Sequence, residues 1–301
     1  MKDKTFAAID IGSNAVRLLI KRVDPLGDTA ATALKKLMLL RVPLRLGFDV
    51  FAKGKVSSRK ATNLVRLMKA YKQLMRIYDV DEYRACATSA MRDAENGAEI
   101  MARIQSSTGI GIEIIPGEEE AAIVYANHAE CLSDRCGNFL YVDVGGGSTE
   151  INLISEGELR CSGSFNIGTV RILTDKVKDS EWTRLNDLLS EMAAKYPGIN
   201  IIGSGGNINK LYKLAETKDE ERATFSVDEL ARLYHILKPL DVDQRMMRFN
   251  LKPDRADVII PAAEIFLTVA SVVKADYIMV PVIGVADGII DELYEKEYHK
   301  D

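Results

Sequence analysis

Three glycine-rich turns in this chain each follow an apolar strand pattern. They read Asp10-Ile11-Gly12-Ser13-Asn14, Asp143-Val144-Gly145-Gly146-Gly147-Ser148 and Gly203-Ser204-Gly205-Gly206-Asn207. Glycine lets successive backbone N–H groups converge on one point, and converging N–H groups bind phosphate. Ser13 and Asn14 add polar side chains to the first turn, and Ser148 adds one to the second. The third turn, with Gly205 and Gly206, runs into a helix pattern at 208–214, whose N-terminal dipole favours an anion. One such turn is more often a plain bend. Three of them, two alike and each with an aspartate at the strand end, point to phosphate. None is a Walker loop, because no Gly-Lys-Ser/Thr follows, and none is the Gly-x-Gly-x-x-Gly dinucleotide fingerprint.

The acids fall into two sets. Asp10 and Asp143 end their strands where the turns begin. A carboxylate beside phosphate is repulsive unless a cation lies between them, and Mg²⁺ suits one or two carboxylates plus phosphate oxygens. Glu150, in the strand after the second turn, would complete that shell. Turn capping is the alternative for either aspartate alone. The second set, Glu118-Glu119-Glu120, opens a helix pattern after Pro116-Gly117. Acids suit a helix start through the dipole. One that reaches substrate could instead deprotonate a water, which contributes on the order of 10²–10⁴ in rate. Arg92 follows a strand pattern at 83–87, on the ligand-binding side of an α/β sheet. Its fork could grip a phosphate oxygen; a surface salt bridge is the other reading.

Composition narrows the chemistry. His128, His235 and His299 are scattered, which leaves no basis for a Ser-His-Asp triad or a histidine zinc site. Cys86, Cys131, Cys136 and Cys161 form no Cys-x-x-Cys pair, and free thiols are expected. No apolar run is expected to span a bilayer, since the stretch at 258–273 is interrupted by Pro261 and Glu264. The apolar run at 6–9 is too short for a signal-peptide core, so a cytoplasmic protein without membrane contact is expected. The formal net charge of −4 hides an asymmetry: residues 35–76 hold twelve Lys and Arg against Asp49 alone. That segment either attracts a polyanion or is the wet face of an amphipathic helix over 57–78, whose apolar side would carry Ala61, Leu64, Val65, Met68, Tyr71, Met75 and Tyr78. No helix-turn-helix, zinc-finger or aromatic-rich RNA signature accompanies it, so DNA is not an expected partner.

The elements that must position these residues alternate. Strand patterns lie at 5–11, 16–23, 83–87, 139–144, 149–155 and 200–202, and helical ones at 57–78, 94–107, 118–134, 180–196, 226–238 and 256–274. This predicts an α/β fold. Strand, aspartate, glycine turn and strand recur 133 residues apart, with one extra residue in the later loop, which reads as an internal duplication. Two similar lobes with a cleft between them are expected: 1–124 with about 287–301, and 125–286.

Taken together these residues resemble the exopolyphosphatase/guanosine pentaphosphate phosphatase family, within the actin-like superfamily. The first turn looks like the family's first phosphate loop, and 143–150 like its most specific motif. Leu46-Gly47, 87–92, Gly168-Thr169-Val170-Arg171 and 203–207 fit in order, and Gly117-Glu118-Glu119-Glu120-Ala121 is similar to its Glu-Glu-Ala segment. The resemblance implies a duplicated actin-like (ribonuclease H-like) fold and Mg²⁺-dependent release of terminal phosphate from inorganic polyphosphate or guanosine pentaphosphate. It puts the base on Glu120, with Arg92 among the groups that hold the terminal phosphoryl, and a homodimer fits it. An actin-like small-molecule kinase and a non-catalytic polyphosphate or alarmone sensor are the alternatives. Two departures stand out. The extra C-terminal helical domains of longer members are expected to be absent, and Gly284-Val285-Ala286-Asp287-Gly288 lacks an expected Arg-Glu.

Overall fold

The computed structural model describes residues 4–24, 33–129, 137–281 and 284–298. The readings for Cys131, Cys136, His299 and the side chain of His128 lie outside the described residues. The chain divides into two compact units, Met1–Cys131 with Gly284–Asp301, and Leu132–Ile283.

In the first unit, strands β1 (Thr5–Ile11), β2 (Val16–Val23) and β3 (Leu34–Val42) form an antiparallel meander. Helices α1 (Leu46–Lys53) and α2 (Ser58–Ile77) lead to β4 (Glu82–Ala87). Then come α3 (Ser89–Asp93), α4 (Gly97–Thr108), β5 (Glu113–Ile114) and α5 (Gly117–Ala129). The sheet order is β3-β2-β1-β4-β5, with β4 parallel to β1 and to β5. β1 is buried along its whole length, as a central strand covered on both faces must be. α2 buries six of the seven apolar residues that its spacing singles out; Tyr78 falls just beyond its end, half-buried.

The second unit repeats the plan. It runs β6 (Asn138–Val144), β7 (Thr149–Ser155), β8 (Glu158–Phe165), α6 (Thr169–Leu173), α7 (Asp179–Lys195), β9 (Asn200–Ser204) and α8 (Gly206–Leu214). After these come β10 (Thr224–Ser226), α9 (Val227–Leu237), α10 (Val242–Phe249), α11 (Pro253–Ala256), α12 (Ile259–Val273) and β11 (Tyr277–Met279). Its order is β10-β11-β9-β6-β7-β8. Read from β8, the first five strands match β3-β2-β1-β4-β5 in order and direction, and β10 is an antiparallel addition. This is the duplicated actin-like α/β fold.

Two sequence readings are corrected here. The later glycine loop holds no extra residue: Ile11 faces Val16 and Val144 faces Thr149, so both loops have four residues. Each is closed alike, Gly12 N to Ala15 O at 3.1 Å and Gly145 N to Ser148 O at 3.0 Å. Second, Pro261 does not interrupt 258–273. It sits in the first turn of α12, where its missing N–H costs no helix hydrogen bond. Pro253–Val273 is in fact long and apolar enough to cross a membrane by length and composition, but α12 supplies much of the second unit's core, including Phe266 and Val269.

The chain returns to the first unit through α13 (Val285–Tyr298). Within 284–288 the structure explains Gly288 and gives no reason for the missing Arg-Glu. A side chain on Gly288 would strike the backbone of Ile123, so the glycine lets α13 lie close against α5.

Candidate functional site

In the first unit the chemistry-bearing residues meet at the carboxyl edge of three parallel strands. β1 carries Asp10 one residue before its end, and β4, in register with it through Asp10 and Cys86, leads into Thr88 and Arg92. β5 leads through Ile115 and Pro116 to the acids that open α5. Backbone bonds tie these ends together: Thr88 N donates to Ile11 O at 3.2 Å and Ile115 N to Ala87 O at 3.0 Å. The loop tip Ser13-Asn14 is held by α1. Gly47 N donates to Ser13 O at 2.8 Å and Arg45 N to Asn14 O at 2.9 Å. A Cβ at Gly47 would stand 3.0 Å from Ser13 Cβ, which accounts for the Leu46-Gly47 motif. The Ser13 hydroxyl is buried and has no hydrogen-bond partner among the described residues, so it is available to a ligand oxygen.

The three glutamates separate cleanly. Glu118 is exposed. Glu119 is committed to an ion pair with Arg84 at 2.6 Å, a guanidinium that also binds Glu113 and Glu292, each at 2.8 Å. Glu120 is only 8% exposed. Arg92 forms no ion pair among the described residues; its Nη1 donates to Ile115 O at 2.7 Å. Its Nε and Nη2 have no acceptor among them and can meet a phosphate. Cys86, beside Asp10 in the register, is fully buried, and burial pushes its thiol up to about 12. It stays protonated and is no nucleophile at neutral pH.

Asp10 is 4% exposed, and its Oδ2 accepts from Arg17 Nη1 at 2.5 Å. Arg17 is its direct cross-strand partner. In the second unit the equivalent pair is Asp143 and Glu150, again directly opposite in the hairpin. Asp143 is 8% exposed and Glu150 1%. Like charges in directly opposed positions destabilise a sheet, and a cation between them removes the repulsion. Ser164 Oγ, opposite Glu150 on β8, donates to Glu150 Oε1 at 3.0 Å. No group of three or more acids, histidines or cysteines is placed to hold a metal ion among the described residues. One or two carboxylates are what Mg²⁺ takes from protein when phosphate supplies the rest, so Asp143 and Glu150 fit such an ion.

The loop 145–148 is shaped from behind. Thr169 N donates to Gly145 O at 3.0 Å, Val170 N and Arg171 N to Gly146 O at 2.8 and 3.1 Å, and Arg171 Nε to Gly147 O at 2.8 Å. The loop carbonyls are thus tied to α6, while the amides of Gly146, Gly147 and Ser148 donate to no backbone acceptor among the described residues. A Cβ on Gly168 would collide with the Gly146–Gly147 backbone, so only glycine permits this contact. The four glycine-loop residues owe nothing to left-handed geometry; that belongs to Gly205, at φ +103°. A Cβ there would stand 3.1 Å from Asp143 Oδ1. Gly205 and Gly206 thereby begin α8 beside Asp143, at the carboxyl edge of β6 and β9. Two residues of this edge escaped the sequence reading. Arg171 entered it only as part of a motif, yet it anchors the loop. Arg255 lies flat against Gly206 and donates to Asn207 Oδ1 at 2.7 Å, with no local sequence signal.

Comparisons with known proteins give the chain its family. The family model described as the Ppx/GppA phosphatase family matches residues 26–297. Exopolyphosphatase 1 of Mycobacterium tuberculosis is 27% identical over 208 residues, 65% of this chain and 57% of that protein. A guanosine-5'-triphosphate,3'-diphosphate pyrophosphatase of Vibrio cholerae is 30% identical over 263 residues, 79% of this chain and 50% of that protein. The chain spans about half the length of these curated relatives. The crystal structure of the Aquifex aeolicus Ppx/GppA family member superposes with a TM-score of 0.76 at 26% identity, covering 99% of both chains. With a family match reaching through both units, the chain belongs to the Ppx/GppA phosphatase family.

Proposed function

We propose that this protein hydrolyses the terminal phosphoanhydride of inorganic polyphosphate or guanosine pentaphosphate, releasing orthophosphate to water. The observation that carries the reading is the loop 145–148, whose carbonyls are engaged by α6 while three successive amides remain for an anion. Those amides, with Ser148, hold oxygens of the terminal phosphoryl group. Ser13, Asn14 and the open side of Arg92 bind phosphate oxygens at the first unit's edge, and Gly205-Gly206 adds the start of α8. Glu120 accepts a proton from the attacking water at one carboxylate oxygen as that water adds to phosphorus. Asp143 and Glu150 would hold a divalent ion, Mg²⁺ by their chemistry, which neutralises charge on the phosphoryl oxygens when bound. Asp10 is the weaker candidate ligand, because Arg17 already offsets its charge.

The test is a phosphate-release panel on tripolyphosphate, long-chain polyphosphate, guanosine pentaphosphate and ATP, each with and without Mg²⁺. Acceptor-independent release from polyphosphate or pentaphosphate, abolished by chelation, is expected. Release that requires ATP and a hydroxyl acceptor would reassign the chain to a kinase role, and tight binding without turnover would make it a sensor.

A further inference from the structure

Helix α2 carries more positive charge than its structural position requires. Arg59, Arg66, Lys69 and Arg76 are all exposed and, among the described residues, none pairs with an acid. Their spacing of seven, three and seven residues places them within a sector of about 100° on one side of the helix. The opposite side holds Leu64, Met68, Tyr71 and Met75 and is buried. A wet helix face ordinarily interleaves acids with bases, which stabilise it as i,i+4 pairs. No acid occurs from Val50 to Tyr78. Arg59 and Lys60 also fall in the first turn, where the helix dipole disfavours cations. The arrangement therefore opposes the helix's own stability, as expected where the balancing charge comes from outside.

The face begins at the candidate site. Lys60, in the first turn of α2, pairs with Asp49 at 2.7 Å and donates to Arg45 O at 2.5 Å, and Arg45 N in turn donates to Asn14 O. From there the helix runs away for about 30 Å. We propose that the exposed face of α2 is a docking rail for the distal part of a long inorganic polyphosphate chain whose terminal phosphate occupies the site. This rests on the phosphoanhydride reading above and deepens it, since it makes the chain a long-polyphosphate enzyme. A flexible polyanion with one charge per unit suits a row of exposed cations without acid partners that offers no aromatic side chain for base stacking.

The test compares the parent with Arg66→Glu/Lys69→Glu/Arg76→Glu on tripolyphosphate and long-chain polyphosphate, with direct binding of labelled long-chain polyphosphate across a salt series. The reversal is expected to raise KM for the long chain about tenfold or more, and to leave tripolyphosphate kinetics within about twofold. In the binding series, removing three cations should flatten log K against log salt by about 2. The corresponding triple Gln variant keeps helix propensity and should give an intermediate effect. Equal losses on short and long substrates, or long-chain KM and binding within about twofold of the parent, overturn the rail. So does a parent that binds single-stranded RNA with this salt dependence but not polyphosphate. A protein that binds the long chain through these residues yet releases no phosphate would sink the hydrolase reading and leave the rail standing.

Discussion

Glu118, Glu119 and Glu120 are identical in chemistry, and only their surroundings tell them apart. Exposure removes Glu118 from consideration and the Arg84 pair occupies Glu119, which leaves the buried Glu120 for proton transfer. Glu120→Gln keeps shape and polarity and removes the basic oxygen. Its kcat for phosphate release should fall by about 10²–10⁴ with KM little changed. Glu119→Gln is the control: it removes one of three acids around a partly exposed Arg84, should cost about 1 kcal/mol or less, and should leave kcat near the parent value. Steady-state kinetics on both variants decide the assignment, and comparable losses in the two would defeat it. The acid run was visible in the sequence as a helix start, but the burial of one member was not, because three consecutive residues point in three directions around a helix. Glu120 stands three residues before the buried Ile123, so its phase was available once the helix was placed.

At the level of elements, the loop 145–148 is only half of a device whose other half is the start of α6. Gly168→Ala puts a methyl group into the Gly146–Gly147 backbone, which cannot yield as a flexible side chain would. Overpacking of this kind costs about 1–3 kcal/mol, and it displaces the amides proposed above to hold phosphate. The variant should lose most kcat/KM while remaining folded, as read by phosphate release beside a urea melt. Parent-like turnover in a destabilised protein would show that the loop does not depend on α6. The loops and most of the long helices were legible because their patterns are local: strand, glycine, hydroxyl, or a 3.6-residue apolar period as in α2. β3 was not. It is an edge strand whose residues are half or fully exposed, so its apolar and basic residues fail to alternate. The three-residue β10 and β11 are too short to carry a period, and α10 buries no residue fully. The α6 contact is legible only as a motif, since the reason for its glycine lies 21 residues earlier in the chain.

For the molecule as a whole, the duplication has kept its hairpin register and changed its charges. Asp10 and Asp143 stand at the same place in two equal hairpins, each opposite the residue seven positions on. In one half that residue is Arg17 and in the other Glu150. One half therefore faces its aspartate with a basic residue, and the other faces it with a second acid. The arrangement predicts a single divalent ion per chain, bound by the second unit. Mn²⁺ titration followed by electron paramagnetic resonance, without substrate turnover, should give one ion for the parent. Asp143→Asn and Glu150→Gln should each weaken it, while Asp10→Asn should leave the stoichiometry unchanged. Losing the partner that orients a ligating carboxylate typically lowers metal affinity about 10–100-fold, so Ser164→Ala should show a loss of that size and Ser164→Thr should restore it. Two ions in the parent, or loss of the ion in Asp10→Asn, would mean that Arg17 does not stand in for a metal and that both halves of the duplication recruit one.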